Sequence, residues 1–295
     1  MFRFIWRLIT FPFRAIDWLV RRISRGIRGL IREVGTLLAP DPEDSPVTEA
    51  LAKAVQNPAG LLEHLAALRK HLFRAVIVLL ITTIASFAFA ERVLDFLAKP
   101  IGGIAALKPT EISEGISVYM RISFITGFAL ALPFIVLELL LFAAPGLKRK
   151  ERKMGCLAIP IVTLLFLGGM AFAIFVALKP AITFLANFIF DPNLRPQGYY
   201  PIVTSIIFWT GVLFEIPVVV YFIAAMGLVK AEVLRDQARY VIVGLAVLAA
   251  AITPTTDPIN MLIILLPLIA LYFIGVALAF IAQRRRLRRK GESAG

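Results

Sequence analysis

The sequence predicts an all-α membrane protein, with six membrane-spanning helices preceded by an amphipathic helix at the membrane surface. Three observations carry this reading. Of 295 residues, 59% are hydrophobic and only 17% charged, whereas soluble domains sit near 45–50% apolar. Six apolar segments follow one another from about residue 72. The formal net charge of +13 is gathered in an N-terminal arm, internal loops and a C-terminal tail. That is the distribution of a chain oriented by positive cytoplasmic flanks, and it argues against a nucleic-acid surface. The chain divides into a basic amphipathic arm (residues 1–38), a linker (39–58), a six-span domain (59–283) and a basic tail (284–295).

The arm interleaves bases with aromatics, unlike a cleavable signal with a basic region before an apolar core. Ile9, Phe13, Ile16, Val20, Ile23, Ile27, Leu30 and Val34 recur at steps of four and three, which is one helical face. Arg3, Arg7, Arg14, Arg21, Arg22, Arg25, Arg28 and Arg32 lie among them, opposed only by Asp17 and Glu33. Such a helix over residues 1–34 is suited to an anionic lipid surface. Pro12 interrupts its start, and Pro40–Pro46 reads as a flexible linker.

The six apolar segments are Leu72–Ala90, Ile116–Ala143, Gly155–Asn187, Tyr199–Met226, Tyr240–Thr253 and Ile259–Ala282. The second to fourth are long enough to cross a hydrocarbon core of ~30 Å. The fifth is short, and the turn Thr253–Pro258 separates it from the sixth. Basic loops at Lys148–Lys153 and Lys230–Arg239, with the arm and the tail, alternate with mixed or acidic loops, which places both termini in the cytoplasm. The loop Glu91–Gly115 carries Val93, Leu94, Phe96 and Leu97 before Pro100, and reads as an interfacial helix capping the outer face.

The chemistry of enzymes is not visible. No glycine-rich phosphate loop occurs, no nucleophile–base pair can be argued for, and neither a cofactor nor a metal is implied. His64 and His71, seven residues apart at a membrane edge without carboxylate or thiol partners at metal spacing, read as interfacial polar residues. Cys156 is the single cysteine and reads as a small hydrophobe.

Several charges need explaining. The stretch Leu61–Leu72 places Glu63, His64, Arg69, Lys70 and His71 at the edge of the first span. Glu215, near the middle of the fourth span, stands at a depth where a carboxylate costs ~2.5 kcal/mol or more. It should therefore face protein or a water-filled recess, deepened by Pro217. Glu138 lies toward the cytoplasmic end of the second span, one turn before Phe142. Glu151 is the one acid in Lys148–Lys153, and its cationic neighbours favour its ionised form. Arg121 reads as an interfacial anchor.

In order along the chain, these motifs resemble the TatC family, the integral receptor subunit of the twin-arginine protein translocase. Glu63-His64-Leu65 with Leu68-Arg69 is similar to the family's EHLxELR signature. Pro100 ends the loop helix, and Pro133, Phe142, Pro145 and Glu151-Arg152 resemble the second span and first cytoplasmic loop. Gly169 to Ala173, Phe214 to Pro217, and Thr253-Pro254 with Asp257-Pro258 are similar to later motifs. The likeness runs from Leu61 to about Ala282.

The resemblance implies a curved, concave bundle with short fifth and sixth spans in a bacterial or archaeal-type cytoplasmic membrane. It implies a receptor that binds the paired arginines of signal peptides on folded client proteins. TatA- and TatB-type single-span subunits are its implied partners, within a homo-oligomeric receptor complex driven by the proton-motive force. Arginine suits such a code because its guanidinium is permanently charged and grips carboxylates bidentately. Glu63, His64, Leu68, Arg69, Phe142, Pro145, Glu151 and Arg152 are the implied signal-peptide residues. Glu215, Pro217, Thr253 and Asp257 are the implied intramembrane and partner-binding residues, with Pro100 and Pro133 structural. One departure stands out. Ala67 occupies the position of the signature's second acid, and Glu138 is then expected to supply part of the missing negative charge to the recognition surface. The alternative is a six-span, ion-coupled solute transporter with Glu215 as its proton site, although no internal repeat of the kind common in transporters is apparent.

Overall fold

The computed structural model describes residues 35, 58–109, 111–144, 149–188, 195–225, 227–253 and 258–292. The expected surface helix (residues 1–34) and nearly all of the linker lie outside the described residues. Within them every regular element is helical, as a membrane interior demands, because a helix satisfies its own backbone.

Helix α1 runs Pro58–Ser86, opening on a proline whose missing N–H has no helical partner to lose. A short turn, Phe87–Phe89, leads into α2, Ala90–Ala98, and Pro100 sits in the single turn that follows. Helix α3 spans Ile112–Ala143 and passes through Pro133 unbroken. The third segment is built from α4 (Arg149–Phe172), a wide π turn (Ala173–Ala177) and α5 (Leu178–Phe188). The wide turn precedes Pro180, whose ring would clash with the Val176 carbonyl in a regular helix. Helices α6 (Pro196–Leu213) and α7 (Ile216–Ala225) flank an interruption at Phe214–Glu215. Its cause is Pro217, which cannot donate to Leu213. The short α8 (Ala231–Asp236), then α9 (Ala238–Ile252) and α10 (Pro258–Glu292) complete the described chain.

Five helical stretches are long and apolar enough to cross a membrane: His64–Ile101, Ser113–Ala143, Met154–Phe184, Pro196–Ala225 and Pro258–Arg284. Helix α9 is apolar but has 15 residues, about 22 Å at 1.5 Å per residue, short of a ~30 Å core. The expectation of a short last span is corrected. Helix α10 has 35 residues, because its apolar stretch continues without a break into a basic run rich in good helix formers.

Helix α1 leans on α3, α3 packs on α4 and α6, and α7 and α9 pack on α10. Apolar side chains gain little from each other in lipid, so these helices meet where small residues let backbones approach. A β-carbon at Gly127 of α3 would lie 2.5 Å from the Thr83 Cα of α1. The neighbouring Thr82 hydroxyl donates to the Gly127 carbonyl at 2.8 Å. A β-carbon at Gly169 of α4 would lie 2.8 Å from the Gly211 Cα of α6.

At the end of the bundle where α1 stops, α2 buries Ala90, Leu94, Leu97 and Ala98. The hydroxyls of Tyr199 and Tyr200 donate to the Leu97 and Leu94 carbonyls at 2.7 and 3.1 Å. Arg121 is more than an anchor. Its guanidinium donates to Thr204 Oγ1 at 2.8 Å and to Ser205 Oγ at 2.7 Å, tying α3 to α6. At the other end, Gln283 of α10 clasps α8. Its amide oxygen accepts from the Ala231 N–H at 2.6 Å, and its Nε2 donates to both Glu232 oxygens at 2.8 Å. The Tyr272 hydroxyl donates to the Leu234 carbonyl at 2.6 Å.

Two outcomes are expected. Gly127→Val should destabilise the purified protein by about 1–3 kcal/mol, read by thermal unfolding in detergent, because the added carbons have nowhere to go. The Gln283 amide holds the Glu232 carboxyl below its ordinary range. A depressed carboxylate contributes stability at neutral pH and loses it as pH falls through the folded-state pKa. Hydrogen-exchange protection of α8 should therefore weaken in acid, and Gln283→Leu should remove it at neutral pH.

Candidate functional site

Two places in the described bundle carry the chemistry. The first is the seam between α1 and α3, which run antiparallel. Three cross-helix contacts define its register. Thr82 meets Gly127, His71 meets Glu138, and His64 stacks on Phe142 with ring centroids 4.5 Å apart. His64 and His71 are two helical turns apart and so share one face of α1, while Glu138 and Phe142, one turn apart, share one face of α3.

Glu138 is 1% exposed. Its Oε2 lies 2.6 Å from His71 Nδ1, and Arg74 Nη1 stands 3.9 Å from Oε1. His71 also sets its ring edge toward Phe142, with centroids 6.3 Å apart. His71 thus finds a carboxylate partner that its spacing in the sequence does not reveal, and Glu138 is turned into the α1–α3 seam. A carboxylate buried at that level must be paired, and α1 supplies both partners. The faces that carry these residues can be read from the sequence. The offset that sets residue 71 opposite 138 cannot.

The remaining expected signal-peptide residues surround this seam or lie beyond it. Glu63 is on the opening turns of α1, Glu151 and Arg152 are on the first turn of α4, and Leu68 and Arg69 are exposed on α1. Pro145 and Asp257 lie outside the described residues. Thr253 closes α9, its buried hydroxyl donating to the Ala249 carbonyl at 2.9 Å.

The second place is a recess of ≈ 360 Å³ between α3, α4 and α7. Its walls include Leu139 and Ala143, Gly155 and Val162, and Val218 and Phe222, and Glu215 is its one charged lining residue. Glu215 stands at the interruption between α6 and α7, where its carbonyl accepts from the Val218 and Val219 N–H groups at 3.0 and 3.1 Å. The carboxyl group lies near the main chain of Phe166, yet both oxygens are buried without a hydrogen bond of good geometry. Pro217 breaks the helix and so turns this side chain toward the recess. An acid held that way can receive a donor or a cation arriving through an apolar opening. Among the described residues no three His, Cys, Asp or Glu side chains gather as a metal site.

Unsatisfied buried carboxylate oxygens are costly. Glu215→Leu should therefore raise the thermal stability of the isolated protein by about 1–3 kcal/mol, measured in detergent, while lowering its activity in cells. A stability loss would show that the carboxylate is satisfied.

Comparison with known proteins gives the geometry its context. Residues 63–267 match the family model for TatC, the Sec-independent protein translocase protein. The Sec-independent protein translocase protein TatC of Koribacter versatilis is 33% identical over 270 residues, covering 86% of this chain and 98% of that protein. The protein of the same name from Carboxydothermus hydrogenoformans is also 33% identical, covering 76% and 93%. A crystal structure of the twin-arginine translocase receptor TatC superposes with a TM-score of 0.64 at 30% identity, covering 74% of this chain and 99% of that one. With the family model matching well over half of its length, in the order of the motifs described above, this chain belongs to the TatC family of Sec-independent protein translocase proteins.

Proposed function

We propose that this chain is the receptor and core subunit of a twin-arginine translocase, binding twin-arginine signal peptides and scaffolding single-span TatA- and TatB-type partners. The observation that carries the reading is the family match over residues 63–267, which takes in both Glu63 and Glu151 and the recess at Glu215. The solute-transporter alternative is set aside by the same match.

In this reading the chain is a multi-pass membrane protein with six spans, the 15-residue α9 serving as a short fifth beside a locally thinned bilayer. The basic loops and tail then face the cytoplasm together with both termini. The turns carrying Glu63 and Glu151 fall on that side, where two carboxylates match two guanidinium groups. Phe142 supplies an apolar surface between them. The recess at Glu215 takes a partner helix whose polar or cationic group satisfies the carboxylate, since an apolar helix would leave both oxygens unpaired. The surface helix of residues 1–34 adds attachment to anionic lipid. The protein transports by assembly with partners and performs no covalent chemistry.

Site-specific crosslinking of Arg-Arg and Lys-Lys signal peptides to the loop around Glu151 tests the receptor reading. Stronger labelling by the Arg-Arg peptide is expected, and equal labelling would sink it. Glu151→Lys should abolish export of a twin-arginine reporter, because it places a repelling charge where an attracting one is needed.

A further inference from the structure

On sequence alone, Glu138 is expected to act as a surrogate acid that touches the signal peptide. The geometry points to a different part, and we propose that Glu138 is a positioning residue. Through His71 it sets the opening turns of α1, with Glu63 and the His64–Phe142 stack, against α3 for signal-peptide binding. The inference rests on the receptor reading above.

Four observations support it. First, the Glu138 side chain is 2% exposed, which leaves no approach for an incoming guanidinium. Second, its Oε2 is already engaged by His71 at 2.6 Å, and Arg74 stands 3.9 Å from the other oxygen. A further arginine would meet an acid that already has basic neighbours. Third, among the described residues α1 rests on a single partner helix, α3. Only 6% of the apolar window of the stretch that begins with it is buried, so its direction is set by this one seam. Fourth, those contacts are spaced along the seam. Thr82 is tied to Gly127, and eleven residues away on each helix His71 is tied to Glu138. Beyond that pair the aromatic stack of His64 on Phe142 remains as a weaker contact.

The His71–Glu138 pair is thus a polar tie that lies between the Thr82 contact and the turn that carries Glu63. A hydrogen bond to a carboxylate is directional and stronger than a neutral one, so it sets the rotation of α1 as well as its distance. Rotation matters because residues 63 and 64 are adjacent in sequence but about 100° apart around a helix. When His64 is seated on Phe142, the rotational setting of the opening turns of α1 follows. Loss of the tie frees α1 to turn about its Thr82 contact and displaces the turn carrying Glu63 from its setting on α3.

The test is a mutant cycle on the full-length protein in lipid nanodiscs, reading the Kd of an Arg-Arg signal peptide and the NMR shifts of the His64 ring protons. Those protons should be shielded by the Phe142 ring. Glu138→Leu and His71→Leu should each weaken binding on the order of tenfold, and the double variant should bind no worse than either single one, since both remove one tie. Both should also move the His64 shifts toward solvent values. Glu138→Gln keeps an oxygen that accepts from the imidazole N–H, so it should stay within about twofold of the parent with His64 still shielded. The proposal is overturned if Glu138→Gln is as damaging as Glu138→Leu while His71→Leu is harmless, the pattern of a carboxylate that itself binds arginine. It is equally overturned if His64 stays shielded in Glu138→Leu. Should that variant fail to fold, His71→Leu and Glu138→Gln separate the same two outcomes. Failure of the receptor reading looks different: the parent itself would bind Arg-Arg and Lys-Lys peptides alike, whatever the His64 shifts report about the seam.

Discussion

Close backbone approach between helices is the interaction on which this bundle depends. In lipid an exposed leucine loses nothing by facing acyl chains, so apolar surface alone does not bring two helices together. Here the approach is made at Gly127 under Thr83 and at the Gly169–Gly211 pair, with short hydrogen bonds added where hydroxyls meet carbonyls or guanidinium groups. The seam between α1 and α3 takes its register from the first of these contacts. The α4–α6 contact sets the wall from which the α6–α7 interruption projects Glu215.

Within that frame two acids with buried carboxylate oxygens meet different fates. Glu138 is closed in by His71 and Arg74 from a neighbouring helix. Glu215 is left with neither oxygen bonded, at a backbone interruption beside an apolar recess. The difference is one of neighbours rather than of residue type. A paired acid inside a bundle fixes a geometry, whereas an unpaired one stores an interaction for a group that comes from elsewhere. Proline placement supports the contrast. Pro133 leaves α3 continuous beneath Glu138, whereas Pro217 removes the donor that would have carried the helix past Glu215.

The same physics separates the two ends of the molecule. At the α2 end, Tyr199, Tyr200 and Arg121 lock loop and helices together through main-chain and hydroxyl acceptors. At the opposite end side chains of α10 and α3 make the described ties. Gln283 holds α8, and the His71–Glu138 pair holds α1.

By itself the sequence determined the helical class, the apolar segments, the short α9 and the interruption near Pro217. Each follows from composition, periodicity or a missing N–H, all of which are local properties. It also singled out Glu138, Glu215 and both histidines as residues needing an explanation. Only the tertiary structure decided that His71 is the partner of Glu138, that Arg121 ties α3 to α6, and that α10 continues as one long helix. Helical periodicity assigns each residue a face, but not the offset at which two faces meet. That offset is set by the shape of small-residue contacts such as Gly127 on Thr83, and it decides which acid finds a partner across the seam and which has neither oxygen bonded.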